Sequence, residues 1–336
     1  MLFKDAKWPE ISHTPIFLKM QPDKKPIYAI AGPTASGKTA LGVKLAHALN
    51  GEVINFDSVQ IYQGIQIATA KPSEEEKQGI PHHLIDYVDP RINYTAANWA
   101  EDAKAKIAEI DSRGKTAILV GGTGFYLRTL LNPLFECPPT DAELRARLAN
   151  IRQLRGPEYL HRMLQRVDPE SATAFYPRDY VRVMRALEFY FQTGERISVK
   201  KLERGTAPEF ASRIRLFVLN PPRPQLYEKI NQRTEEHFAA GLIDEVRRLR
   251  AAGIRDDSNA LGAHGYRRVC EYLRGERTQE SAIEQTKQDV RNYAKRQLSW
   301  FRREGTAIWL DGFGSDGNIS DGVLHYLALV AKKDTR

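Results

Sequence analysis

The chain has 336 residues, enough to bury a sizeable core and to form two domains or one domain with a large insertion. A formal net charge of +8 favours a polyanionic partner, with nucleic acid foremost. Its two cysteines, Cys137 and Cys270, lie far apart with no CxxC and no neighbouring His pair, which argues against a disulfide framework or zinc site and for a reducing cytoplasm; no apolar run of about 18 residues is present to span a membrane.

Residues 1–25 carry scattered charges and prolines without the apolar centre of a signal peptide, and are expected to be a flexible N-terminal extension. The apolar run Ile27 to Ala31 predicts a strand, closed by Gly32 and Pro33. Leu41, Leu45 and Leu49 then recur at helical spacing until Asn50 and Gly51, residues that tolerate positive φ. Val53 to Phe56 predicts a second strand ending at Asp57; Trp99 to Ile110 predicts an amphipathic helix, and Thr116 to Val120 a third strand closing on Gly121 and Gly122. Strand and helix alternating in this way indicate a parallel sheet with crossover helices.

From about Thr140 to Arg213 the chain turns helical, arginine-rich and poor in strand signals. Ile214 to Leu219 returns to core-strand character. Helical segments run from Gln225 to about Ala252 and from Gln279 to about Arg303, and Ala307 to Leu310 reads as a last short strand. The expected fold is α/β, a P-loop NTPase-like core with a parallel sheet and a helical insertion. Its divisions are the extension at 1–25, the first part of the core at 26–140, the insertion at 141–212, the second part of the core at 213–313, and a C-terminal tail or helix at 314–336.

Residues 32–39, GPTASGKT, match GxxxxGK[ST] in full, between a predicted strand and a predicted helix. Gly32 and Gly37 let the loop of Pro33, Thr34, Ala35 and Ser36 wrap closely, so that successive N–H groups and the helix N-terminus face one anion. Lys38 adds a full charge at the terminal phosphate, and the Thr39 hydroxyl suits Mg²⁺. The motif does not name the reaction, since hydrolases, kinases and transferases share it.

Ligands of open α/β sheets sit beyond the carboxyl ends of the strands. Asp57, in DSVQIYQG, and the Gly121–Gly124 turn, GGTG, are both expected there. Asp57 has three possible duties: ligand for Mg²⁺, general base, or cap of the next turn. In the glycine turn, the backbone and the Thr123 hydroxyl can approach an anion closely.

The phosphate loop, DSVQIYQG, ATAKP, PHHLIDYVDP, LVGGTGFYLRTLL, VRVMRALE and KRQLSWFR occur here in the order seen in tRNA dimethylallyltransferases, and the chain resembles that family from about Pro26 to Leu310. The resemblance implies transfer of a dimethylallyl group from dimethylallyl diphosphate to the exocyclic N6 amine of the adenosine 3′ of the anticodon, in tRNAs reading codons that begin with U. It also implies Mg²⁺ as cofactor, the anticodon stem-loop as partner, and an insertion that grips the RNA; a cytoplasmic monomer is expected.

By that resemblance Asp57 accepts a hydrogen from the attacking amine, while Lys38, Thr39, Thr123 and the loop N–H groups face the leaving diphosphate, with Arg233 of INQRTEEHF as a further clamp. The positions matching the family's RNA contacts are Asp57, Ser58, Val59, Gln60 and Thr123; Arg145; Val181, Arg182, Val183, Met184 and Arg185; Gly262, Ala263, His264, Gly265, Tyr266 and Arg267; and Lys295, Arg296, Gln297, Trp300 and Arg302. The AHGYR stretch is expected as a turn that reads bases together with Gln60. His264, Arg268 and Ala68 depart from the family pattern without touching the expected chemistry. The rival readings are an adenylate isopentenyltransferase, a small-molecule kinase, and a non-catalytic RNA-binding protein.

Overall fold

Short apolar runs bounded by turn residues become buried parallel strands when helices cover both faces of a sheet. The computed structural model, which describes residues 25–334, has a six-stranded parallel sheet of this kind whose outermost strands are only partly buried. The extension expected over residues 1–25 therefore lies, apart from Lys25, outside the described residues. In chain order the strands are β1 (Ile27–Ala31), β2 (Gly51–Asn55), β3 (His82–His83), β4 (Thr116–Val120), β5 (Ile214–Leu219) and β6 (Ile308–Leu310). They pair in parallel in the order β3-β2-β4-β1-β5-β6. The central β1, β2 and β4 are buried at every residue.

The helices are α1 (Lys38–Leu49), α2 (Glu74–Lys77), α3 (Ala96–Ser112), α4 (Gly124–Leu131), α5 (Ala142–Arg155), α6 (Pro157–Val167), α7 (Pro169–Ala174), α8 (Tyr180–Thr193), α9 (Ile197–Lys200), α10 (Arg223–Ala239), α11 (Leu242–Ala251), α12 (His264–Leu273), α13 (Gln279–Phe301) and α14 (Gly317–Asp334). Asn50 ends α1 in the left-handed conformation, φ 47°. None of the described helices is long and apolar enough to cross a membrane.

The chain divides into two units. One holds the described residues up to Leu130 together with those from Glu209 onward; the other is Leu131–Pro208. In the first, Leu41 and Leu45 of α1 and Val323 and Leu327 of α14 pack on Tyr28, Ile30, Ile118, Val120, Phe217 and Leu219 of the sheet. The C-terminal segment is thus a core helix rather than a tail. Trp99 of α3 is fully buried, donates from its indole N–H to the Asn55 carbonyl at 2.9 Å, and stacks on Tyr126 at 5.1 Å. That contact pins the end of β2, and hence Asp57.

Two local expectations are corrected. The run expected to be helical from Gln225 to Ala252 breaks into α10 and α11 at Gly241, whose φ of 93° no helix continues through. The AHGYR stretch is not a turn but the start of α12, which begins at His264. The two-residue β3 also lies inside PHHLID, too short to show a strand period; its His83 ring meets Glu52 of β2 at 2.7 Å.

In the second unit, α5 to α9 enclose a core of Leu148, Leu160, Leu164, Val183, Leu187 and Phe189. Asp141, Asp168 and Asp179 cap α5, α7 and α8 by accepting backbone N–H bonds. Glu188 is fully buried and accepts from both Arg145 Nε and Nη2 at 3.0 Å, from Arg185 Nη1 at 2.7 Å and from the Asp141 N–H at 2.8 Å. Burial, the largest influence, opposes its ionisation, but these donors outweigh it and hold its pKa below the usual 4.5. The stabilisation is therefore fully present above that ordinary value and is lost as pH falls through the depressed one. Glu188→Ala leaves two arginines without their buried acceptor and is expected to destabilise this unit by about 3 kcal/mol in urea unfolding at neutral pH. The difference from the wild type should shrink as the pH is taken into the acid range; an undiminished difference would mean lost packing, not charge, is responsible.

Candidate active site

The phosphate loop and the residues that line the cavity around it all belong to the first unit. The phosphate loop closes on itself through three residues at positive φ: Gly32 at 149°, Ala35 at 61° and Gly37 at 81°. A Cβ on Gly32 would meet the Leu219 side chain at 3.0 Å, so the loop lies tight against β5. Lys38 Nζ donates to the Pro33 carbonyl at 2.6 Å. Its pKa falls to about 8 because burial disfavours the charge; Asp57 pulls it up and Arg233 pulls it down. These three groups therefore share one electrostatic field.

They also share one cavity, of about 980 Å³, lined by residues from the phosphate loop (Thr34 to Thr39), the β2 end (Asp57 to Gln60), α10 (Arg233, His237), the entry into α12 and its first residues (Gly262 to Gly265) and α13 (Tyr293, Gln297). Arg233 is partly buried and has no hydrogen bond or ion pair among the described residues. Burial pulls its pKa down, only partly offset by Glu76 and Glu236, and it helps push neighbouring His237 down to about 4, where burial acts first. A desolvated, partnerless guanidinium facing a phosphate loop is a strong anion clamp.

The two carboxylate oxygens of Asp57 differ in their surroundings. Oδ1 accepts from the Val59 N–H at 2.9 Å and weakly from the Gln60 N–H at 3.4 Å, so the capping role is present. Oδ2 has no partner among the described residues, which leaves it available at the cavity. Thr123 Oγ1 accepts from the Ser58 N–H at 3.1 Å and contacts Ser58 Oγ at 3.3 Å. Thr123 is not among the residues lining the cavity; it ties the β4 end to the turn that carries Asp57.

Several expected RNA contacts turn out to be internal braces. Gln297 is buried; its Oε1 accepts from the Thr34 N–H at 2.9 Å and its Nε2 donates to the Gly122 carbonyl at 2.9 Å, joining the phosphate loop to the glycine turn. Tyr266 is fully buried and donates to Glu245 at 2.6 Å, and Val183 is fully buried in the helical core, so neither side chain is accessible to RNA. Met184 packs on that same core. Gln60 Nε2 donates to the Thr69 and Ala70 carbonyls at 3.1 and 2.9 Å, which uses both N–H groups expected to read a base. Arg145 and Arg185 hold Glu188 as described above. Trp300 lies under the Arg128 guanidinium at 4.2 Å and fills the space where Gly124 has no side chain.

Other positions stay open to solvent. Val181, Arg182, Arg267, Lys295, Arg296 and Arg302 are exposed; Arg182 pairs with Asp179 and Arg267 with Glu271. Lys295 and Arg302 line a second cavity of about 510 Å³ with Arg223. Gly262, Ala263, His264 and Gly265 line the large cavity beside Asp57.

Tyr293 escaped the sequence reading. Its ring packs 5.1 Å from His264, and burial first, then the Asp57 charge, push its pKa up against the opposing hydrogen bonds of Thr123 and Gln297, so the phenol stays protonated. One helical turn before Gln297, it shares a face with the buried Ala294, Gln297 and Phe301, and that spacing was the available signal. ATAKP and PHHLID also acquire a common purpose: Lys71 pairs with Asp86 and donates to the Tyr62 carbonyl.

Residues 60–304 match the family described as IPP transferase. The chain belongs to that family. Among similar curated proteins, tRNA dimethylallyltransferase 2 of Geotalea uraniireducens is 42% identical over 91% of this chain and 98% of its own length. The tRNA dimethylallyltransferase of Myxococcus xanthus is 46% identical over 84% of this chain and 91% of its own. The crystal structure of a tRNA isopentenylpyrophosphate transferase from Bacillus halodurans has a TM-score of 0.69 at 37% identity, covering 93% of this chain and 98% of that one. A eukaryotic dimethylallyltransferase described as acting on tRNA has a TM-score of 0.73 at 29% identity, covering 93% of this chain and 79% of that one. As an IPP transferase, the chain is an enzyme with an α/β core, and the six-stranded parallel sheet is that core.

Proposed function

We propose that this enzyme transfers a dimethylallyl group from dimethylallyl diphosphate to the N6 amine of the adenosine 3′ of the anticodon, in tRNAs reading codons that begin with U. The observation that carries the reading is the meeting of Lys38, partnerless Arg233 and the free Asp57 Oδ2 in one cavity. It joins an anion cradle to a proton acceptor, as alkylation of an amine by an allylic diphosphate requires.

The adenine amine attacks the allylic C1, the C1–O bond breaks, and its electron pair leaves with the diphosphate. Asp57 Oδ2 accepts the amine proton, held in place because Oδ1 is fixed to the Val59 N–H. The growing charge on the leaving oxygens meets Lys38, Arg233 and the loop N–H groups. Thr123, outside the cavity lining, donates to Ser58 Oγ at 3.3 Å and accepts the Ser58 N–H, so its part in this reading is to hold the turn that carries Asp57. Thr39 fits Mg²⁺: it presents a hard oxygen on the first turn of α1, at the cavity that would take the diphosphate, whose own oxygens and water would supply the remaining ligands. The ion, when bound, supplies further neutralisation of the diphosphate.

RNA contacts are proposed at Ser58, Val59, His264, the exposed Val181 and Arg182, and the exposed bases Lys295, Arg296 and Arg302. The same reading has the enzyme working as a monomer in the cytoplasm. Purified protein with Mg²⁺ and labelled dimethylallyl diphosphate is offered unmodified tRNA, AMP or ATP. Label in tRNA is the expected result; label in AMP alone would make it an adenylate prenyltransferase instead.

If Arg296 and Arg302 meet backbone phosphates, replacing both by Ala should lower the slope of log affinity against log salt by up to about 1.4–1.8, since each contact contributes roughly 0.7–0.9. Cognate and loop-mutated stem-loops should weaken alike. A salt titration of filter binding reads both quantities, and an unaltered slope would remove these arginines from the phosphate contacts.

A further inference from the structure

The segment Asp311 to Asp316, DGFGSD, follows β6 and lies beyond residue 304, where the match to the family ends. It is locked to the phosphate loop by backbone. The Gly314 N–H donates to the Ser36 carbonyl at 2.8 Å. A Cβ on Gly314 would lie 2.2 Å from the Gly37 carbonyl oxygen, and one on Gly37 would lie 2.9 Å from the Ser315 nitrogen. Each glycine thus exists for the other loop, and Gly37 additionally for its φ of 81°.

We propose that the Gly312–Ser315 loop is a second wall of the diphosphate cradle, with the Ser315 N–H and hydroxyl as further donors to the anion. Ser315 is exposed and lines the same cavity as Gly37, Lys38 and Thr39. Its N–H has no acceptor among the described residues, whereas the N–H groups of Phe313, Gly314 and Asp316 all have one. Beside it, Ser36 is fully buried and its hydroxyl has no partner, although its residue lines the cavity. Buried hydroxyls are almost always bonded, so this one is a donor set toward a ligand.

The loop is also rigid enough to matter. Asp316 closes it by accepting the Phe313 N–H at 2.9 Å and returning its own N–H to the Phe313 carbonyl at 2.9 Å. Phe313 is wedged among Ala35 of the phosphate loop and Leu226 and Ile230 of α10, with Lys229 Nζ 3.8 Å over its ring. Because α10 also carries Arg233, one apolar plug sets the spacing between loop, clamp and Ser315. A fixed array of N–H groups around an anion is more effective than the same groups on a mobile strand.

The proposal rests on the diphosphate reading of the cavity. Calorimetry with inorganic pyrophosphate and Mg²⁺ on the full chain separates the two. Ser315→Asp places a carboxylate on the wall at an exposed position, and should weaken pyrophosphate roughly tenfold by repulsion. Ser315→Asn, of similar size and neutral, should stay within about threefold of wild type, since it keeps the N–H and alters only one neutral group. Gly314→Ala should also weaken binding, because its methyl displaces the phosphate loop. Thermal unfolding confirms that the Ser315 variants fold as the wild type does. If pyrophosphate is lost from Lys38→Ala but binds Ser315→Asp as it binds the wild type, the second wall is refuted and the diphosphate site stands. If Lys38→Ala binds it unchanged, the diphosphate site itself fails.

Discussion

Asp57→Asn is expected to abolish transfer almost completely while leaving diphosphate and tRNA binding near wild type. The substitution separates the cap that the structure shows from the proposed role as base. An asparagine Oδ1 can still accept from the Val59 N–H, which in the native turn lies 2.9 Å from Asp57 Oδ1, so the turn and the Ser58–Thr123 link persist. The second position becomes an amide that cannot take a proton from the attacking amine. Loss of a general base costs about 10²–10⁴ in rate. Asp57→Ala should lose the same rate and, in addition, about 1 kcal/mol of stability through the missing cap. Single-turnover rates with saturating substrates, read beside urea unfolding, test both parts. An asparagine variant within about a tenth of the wild-type rate would leave Asp57 as a cap alone, since that falls outside the range for a lost base.

What could be read in advance followed from how locally each feature is encoded. The phosphate loop, β4 and β5 are runs of adjacent residues whose pattern contains its own boundaries, and β4 and β5 fall at Thr116–Val120 and Ile214–Leu219 as expected. β3 consists of His82 and His83 alone; its pairing to β2 and the Glu52 contact define it, and neither shows in a two-residue stretch. Side-chain duties were less legible. Gln297 bonds residues 263 and 175 positions away in the chain, and Tyr266 bonds Glu245 of another helix, so a motif match located both residues while leaving open whether they face RNA or protein. The basic surface shows the same limit. Arg145 and Arg185 read as part of a cationic excess, yet they answer a buried Glu188 whose own burial no local pattern reveals. The proposed clamp at Arg233 rests on a different absence of local signal: helix α10 brings it to the cavity with no carboxylate bonded to it among the described residues.

Lys38→Met should raise the KM for dimethylallyl diphosphate and lower kcat together, because the ammonium meets the diphosphate in the ground state and more strongly as the leaving oxygens gather charge. Losing such a charge-assisted contact costs roughly 3 kcal/mol, or about two orders of magnitude in kcat/KM. A pH dependence sharpens the test. In the free enzyme, burial holds the Lys38 pKa near 8, well below its ordinary 10.5. The folded protein therefore binds this proton less tightly than the unfolded chain, a destabilisation fully present below about 8 that fades as pH rises toward 10.5. An arriving diphosphate favours the charged form, so it must restore the proton to any Lys38 that has lost it. Above about 8, each further pH unit should cost the wild type up to about tenfold in diphosphate affinity, until the bound complex also titrates. Methionine matches the aliphatic stem but carries no proton, and its affinity should lack that alkaline limb. Isothermal titration of pyrophosphate from pH 7 to 10 in buffers of different ionisation enthalpy reads both the affinity and the proton taken up. A wild-type profile as flat as that of the variant would show that Lys38 keeps its charge throughout and that burial does not set its pKa.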